Sequence, residues 1–260
     1  MKKTLAIINF LSVILVLVVN GLSQSQRWNN TTIGEISNKF GNLFTPASYA
    51  FSIWGLIFLM LIAYCVYQMH SVFSKKESAV YIEKTGWWFT LTNLGNATWV
   101  VAFTFDQILL SVVIMIGILA SLLQIVVRTN MQKEKVSLVV RVFVFWPIAI
   151  YAGWISVATI ANFSAYFASI DFMGSQLTQI IWTIALITIA VLIHTLMVWT
   201  RNMHAFAGVA IWALIAIFMR HKETLESVAY YALVCAITLV VIIGLHLLSM
   251  RKSLQQELKN

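Results

Sequence analysis

The chain has 260 residues, 60% of them hydrophobic and only 10% charged, with a mean hydropathy of +0.87. Soluble domains carry roughly 45–50% apolar and 25% charged residues, so this composition excludes them and specifies a polytopic membrane protein. Lys and Arg outnumber Asp and Glu by 17 to 9, for a net charge of +8. The basic residues stand in short clusters between apolar runs, the arrangement of loops that anchor a membrane topology, and nucleic acid is set aside as a partner.

Taken in order, the chain opens on MKKTLAIINFLSVILVLVVNGLS, a basic start followed by an apolar run that fits either a signal peptide or a first transmembrane helix. No A-x-A-like cleavage site follows, which favours a retained helix. Residues 21 to 47 form the longest polar stretch, rich in Gly, Ser, Asn and Thr, and read as an extramembrane loop. Seven further spans are expected near 48–70, 85–105, 108–127, 137–166, 177–198, 204–219 and 228–249, each close to the ~20 residues that cross a bilayer. The fifth of the eight helices is the longest, and Pro147 within it removes an intrahelical hydrogen bond and predicts a kink. Cys65 and Cys235 lie inside apolar runs without metal-ligand spacing and read as packed hydrophobes.

Basic residues set the orientation. With the N-terminus inside, one side collects Lys2, Lys3, Lys75, Lys76, Lys84, Arg128, Lys133, Lys135, Arg141, Arg201, Arg251, Lys252 and Lys259, and the other has Arg27, Lys39, Arg220 and Lys222. This asymmetry predicts an integral, multi-pass protein with both termini cytoplasmic.

Several spans carry polar and aromatic residues that hydrocarbon does not accept without partners. The stretch Arg141 to Phe167 holds Tyr151, Trp154, Ser156, Thr159 and Asn162, and a buried amide costs a few kcal/mol unless it faces other helices or a cavity. Tyr49, Phe51 and Trp54 repeat the character in the second helix, as do Asn93, Asn96 and Trp99 in the third. At ~1.5 Å per residue, Phe51, Trp54, Asn96 and Trp99 fall at one depth in the outer half of the membrane, with Trp154 and Asn162 bracketing it and Trp182 and Trp212 nearby. One shared pocket explains the amides as well as the indoles. An interfacial aromatic belt explains only the indoles, and suits Trp87, Trp88 and Trp199 at the basic ends.

Three segments also carry a family resemblance: FTPASYAFSIWGLIF at 44–58, NATWVVAF at 96–103 and YAGWISVATIAN at 151–162. Together they resemble the TspO/MBR family of tryptophan-rich sensory or translocator proteins. The resemblance covers about residues 1–170 and implies a TspO-like five-helix bundle there, with 171–260 as an extension of three more transmembrane helices. The chain departs from the family pattern in having Pro46–Ala47 where the family has paired prolines, in a one-residue shorter step from Phe51 to Trp54, and in the position of Pro147. The family's cholesterol-type pattern is absent, since Tyr166 is followed by Asp171 and not by a basic residue.

The resemblance implies an intrabundle pocket, closed by the first loop, that binds tetrapyrroles and other flat hydrophobic molecules. Matched residue by residue, its candidate ligand contacts are Phe51, Trp54, Asn96, Trp99, Tyr151, Trp154, Ala158 and Asn162. Indole faces stack on planar rings while a few amides fix orientation. Arg27 or Lys39 could pair with a ligand carboxylate; each alone also reads as a solvated loop charge. The expected role is sensor, carrier or scavenger, with no obligatory cofactor, a porphyrin or haem-like ligand, lipids as partners, and homo-oligomerisation left open. A membrane enzyme acting on a porphyrin or lipid, or a transporter of an unrelated molecule, stands as the alternative. His194 and His246 could relay protons or ligate a metal if adjacent, and otherwise read as hydrogen-bonded structural residues. Asp106 and Asp171 read as solvated in outer loops.

The topology is testable. Reporters fused after residue 260 and inserted near Ile170 are expected on opposite sides of the membrane, and finding both on one side would contradict the eight-helix arrangement.

Overall fold

The computed structural model describes residues 1–74, 77–172 and 174–257; of the basic residues above, Lys75, Lys76 and Lys259 lie outside them. The described chain is helical and contains no strand. Its elements are α1 Lys2–Gln26, α2 Ile33–Lys39, α3 Ile53–Phe73, α4 Val80–Thr85, α5 Trp88–Thr104, α6 Ile108–Arg128, a single turn α7 Leu138–Val140, α8 Trp146–Ser169, α9 Gln176–Arg201, α10 His204–His221 and α11 Glu226–Glu257.

Among the described residues, seven stretches are long and apolar enough to cross a membrane: Lys2–Gln26, Ser48–Phe73, Ile108–Arg128, Leu138–Ser169, Gln176–Arg201, His204–His221 and Glu226–Lys252. The remaining expected span, near 85–105, is the 17-residue α5, about 25 Å long at 1.5 Å per residue. It is shorter than expected because Gly86, at φ 56°, breaks it from α4. α5 lies between α1 and α6, with most of its side chains buried, so that Thr90, Thr92, Asn93, Asn96 and Thr104 meet protein and not lipid.

Buried amides bind α1 into the bundle. Asn9 Nδ2 donates to Gln68 Oε1 of α3 at 3.1 Å, and Asn9 Oδ1 accepts from the Thr90 hydroxyl of α5 at 2.9 Å. One turn on, Asn93 Nδ2 donates to Ser12 Oγ at 2.9 Å, and towards the far end Asn20 Nδ2 donates to Asn96 Oδ1 at 3.0 Å. In lipid the hydrophobic effect does not discriminate between helix pairs, so bonds of this kind, about 0.6 kcal/mol each and up to about 1.7, fix which helices meet and in what register.

Pro147 acts as the sequence predicts. With no N–H to donate into the preceding turn, it is preceded by a π-helical turn, Arg141–Phe145, in which Trp146 N donates to Arg141 O five residues back. α8 continues through the centre of the bundle, where it packs on α6 and α10. The close approach of α10 depends on Gly153, where a Cβ would sit 2.6 Å from Phe206 O.

Hydrogen bonds mark the two ends. Lys2 pairs with Glu83, Arg128 Nε donates to Lys84 O, Asn202 Nδ2 donates to Gln132 O, and His204 bonds His246, all at one end. Lys39 pairs with Asp106, and Arg220 and His221 reach residues 38–43 at the other. α1 starts and α11 finishes at the same end.

Gly153→Ala is expected to lower the thermal unfolding midpoint, at a cost of about 1–3 kcal/mol. Gly117→Ala, where nothing lies within 4 Å of the new Cβ, serves as the control and is expected to leave the midpoint unchanged or slightly raised. Equal midpoints for both variants would contradict the close α8–α10 contact.

Candidate ligand site

The residues 27–47 connect α1 to α3 and fold into a lid. Thr32 and Glu35 form a reciprocal cap on α2: Glu35 N donates to Thr32 Oγ1 at 3.3 Å and Thr32 N donates to Glu35 Oε2 at 2.9 Å. Beyond α2, Thr45 is fixed by Asn42, whose Oδ1 accepts from both the Thr45 amide and hydroxyl. This places Ser37, Thr45 and Pro46 over a cavity whose floor is Phe51, Trp54, Trp99, Trp154, Ala158 and Asn162.

The aromatic floor converges from three helices. Trp54 stacks on Phe58 at 5.3 Å and stands edge-on to Tyr151 at 5.9 Å and Trp154 at 6.4 Å. Phe51 stands edge-on to Trp154 at 6.1 Å, and Trp99 stacks on Phe103 at 5.0 Å. The rings fill most of the space they enclose, leaving about 40 Å³. Phe51 and Trp54 are also part of the wall of a second cavity of about 580 Å³, which opens between α1, the lid and α3 and is lined by Leu17, Asn20, Gln24, Ile33 and Phe58. A two-residue aromatic wall is therefore common to a small inner space and a large outer one.

Polar groups around the inner space are left without partners. Trp99 Nε1 and Trp154 Nε1 are buried and make no hydrogen bond, whereas Tyr151 Oη and Asn96 lie within reach of one another. Buried polar atoms are nearly always paired, so two unpaired indole N–H groups on residues that line one cavity stand out.

The family described as TSPO-like protein matches residues 6–245. The chain belongs to the TSPO-like protein family. The match runs through α9 and α10 and well into α11, further than the residues 1–170 that carry the resemblance in the sequence motifs. A search of curated proteins and one of solved structures each returned no match.

In this TSPO-like chain, six of the eight residues singled out from the sequence, Phe51, Trp54, Trp99, Trp154, Ala158 and Asn162, line the inner cavity. Asn96 and Tyr151 do not. Tyr151 backs the cavity behind Trp54, and the Asn96 carbonyl oxygen is taken by Asn20 of α1. Asn162 has two roles, since its Nδ2 also donates to Ser111 Oγ of α6 at 2.8 Å.

The loop cations stay half-exposed, as solvated loop charges do, and each also has an ion-pair partner. Arg27 pairs with Glu35 at 2.9 Å and Lys39 with Asp106 at 2.6 Å, so neither is a lone solvated charge and neither lines the inner cavity. Asp106 is correspondingly an ion-pair partner and not a free loop carboxylate. Arg27's hydrogen bond to Glu35 holds that carboxyl below its usual 4.5. A depressed carboxylate contributes stability above its unfolded value, so this latch is whole at neutral pH and is lost as pH falls below 4.5 and through the lowered folded value.

The two intramembrane histidines do not meet. His194 Nδ1 donates to Ala190 O at 2.7 Å, and its Nε2 lies 3.1 Å from the Ser156 hydroxyl, which donates to Gly153 O, so that α9 is joined to α8. His246 bonds His204 at 3.0 Å instead. Both are hydrogen-bonded structural residues.

Sequence reading missed the contribution of α10. Trp212 Nε1 donates to Ala50 O at 3.1 Å, Ala47 N donates to Ala216 O at 3.0 Å, His221 Nε2 donates to Leu43 O at 2.8 Å and Arg220 donates to Asn38 Oδ1 at 2.7 Å. Four bonds thus fasten the lid and the start of α3 to a helix outside the motif-bearing region, and no sequence signal reports them because three end on backbone carbonyls. Replacing His221 with Ala is expected to speed amide hydrogen exchange across residues 42–47 about five- to tenfold, with little change in α3. Unchanged exchange would remove α10 as the clamp of the lid.

Proposed function

We propose that this TSPO-like membrane protein binds a flat, hydrophobic, acceptor-bearing molecule of the tetrapyrrole class between Trp54, Trp99 and Trp154, as a sensor, carrier or scavenger. The observation that carries the reading is the pair of cavities divided by Phe51 and Trp54. About 40 Å³ holds little more than one water, whereas ligand sites span roughly 300–1,000 Å³. The outer cavity, at about 580 Å³, lies in that range. Rotation of Phe51 and Trp54 joins the two, puts indole faces on the ligand, and offers the unpartnered Trp99 and Trp154 N–H groups to its carbonyl or carboxylate oxygens.

Binding is favoured over catalysis because the inner lining holds Ser37, Thr45 and Asn162 as its non-aromatic polar residues, none of which titrates near neutrality to move protons. In this reading residues 1–170 hold the ligand, and α9 to α11 brace them through α10. The end that carries both termini faces the cytoplasm, on the strength of its basic residues.

Protoporphyrin IX titration followed by fluorescence tests the proposal. Trp154→Ala is expected to weaken binding about 5- to 150-fold, Trp154→Phe by less, and Trp199→Ala, an exposed residue at the opposite end, not at all. Equal affinities in folded samples of the parent and all three variants would leave an aromatic belt without a binding role.

A further inference from the structure

A second chemically distinct cavity, of about 850 Å³, opens at the end of the bundle opposite the lid. The loop from α6 to α7 brings Lys133, Glu134 and Lys135 to it, and the π-helical turn ahead of α8 brings Arg141. Trp146, Leu247 and Met250 supply an apolar flank from α8 and α11. Arg141 and Lys133 outweigh the one carboxylate of the lining, Glu134, which is already engaged by Asn130 Nδ2 at 2.7 Å.

The crevice is built and not incidental. Asn202, in the left-handed conformation at φ 56°, donates Nδ2 to Gln132 O at 3.0 Å and so fixes the loop against the α9–α10 turn. His204, which also lines the crevice, bonds His246 and holds α10 to α11. The π turn sets Arg141 five residues before a half-exposed Trp146. Lys2, Arg27 and Lys39 each meet a protein carboxylate, while Arg141 meets none among the described residues. Trp and Arg side by side are the residues that settle at a membrane–water boundary, the indole at headgroup level and the guanidinium above it.

A cationic mouth continuous with an apolar flank, at the boundary of a transmembrane bundle, matches an amphiphile with a negative head. We propose that this crevice holds the phosphate of an anionic phospholipid, with Arg141 and Lys133 taking its oxygens and Trp146, Leu247 and Met250 flanking the start of its acyl chains. Arg141 presents a planar fork suited to two phosphate oxygens at once, and Lys133 adds a point charge. The cytoplasmic leaflet is the anionic one, and this end is the one the basic residues assign to the cytoplasm. The site is separate from the indole cavity and its test does not depend on that ligand.

The full-length protein in nanodiscs containing both phosphatidylcholine and phosphatidylglycerol, released into native mass spectrometry, reads the retained lipid directly. The parent is expected to retain phosphatidylglycerol preferentially, and the double variant Lys133→Gln/Arg141→Gln to lose that preference by about 30-fold, two charges' worth. The charge-conserving Lys133→Arg/Arg141→Lys variant is expected to keep most of it. Excess glycerol phosphate is expected not to displace the lipid. No preference in the parent overturns the proposal without recourse to any variant, as does an unchanged preference in the folded double variant. Displacement by glycerol phosphate at millimolar concentration overturns the lipid assignment in favour of a soluble phosphate compound.

Discussion

A polar group in hydrocarbon must find its partner inside the protein, and this constraint organises the bundle. Asn9, Ser12 and Asn20 on α1 would each be costly facing lipid, and each is instead bonded to α3 or α5 or to its own backbone. The ladder they form sets the register of α1 against α5. That register carries Asn96 to Asn20 and, one turn further, Trp99 to the inner cavity. α5 can be short and polar because α1 and α6 enclose it.

The same constraint gives the unpaired groups their meaning. Asn162 is satisfied by Ser111, while Asn93 in the α1 ladder keeps its Oδ1 without a partner. Around Trp54, the Trp99 and Trp154 N–H groups are left without partners at a depth where water is scarce. A lid pinned by ion pairs at one edge and by α10 at the other preserves that state. In the proposed binding, the aromatic wall of Phe51 and Trp54 is the part that moves, since Trp54 is only partly buried and faces open volume on its far side.

Much of this was legible in the sequence, for physical reasons that differ by element. Apolar runs of about 20 residues report membrane helices directly, and Pro147 reports a break in hydrogen bonding whatever surrounds it. The convergence of Phe51, Trp54, Trp99, Trp154, Ala158 and Asn162 was legible because depth follows from residue count along alternating helices. The role of Asn96 was not, because a lone amide does not disclose its partner, and Asn20 is a single polar residue in an apolar run. α2 was hidden within a polar stretch, although Thr32 and Glu35 carry the spacing of a capping box. The contraction of the cavity to about 40 Å³ depends on side-chain rotamers, which spacing does not encode.

The central claim is that Phe51 and Trp54 form a movable wall between two cavities that become one around a ligand. An experimental structure of the protein with protoporphyrin IX bound tests it most directly. The account predicts the macrocycle between Trp54, Trp99 and Trp154, with Phe51 and Trp54 swung towards α1 and the lid still fastened to α10. A macrocycle on the lipid-facing surface, with the inner rings packed as they are in the unliganded chain, would contradict it.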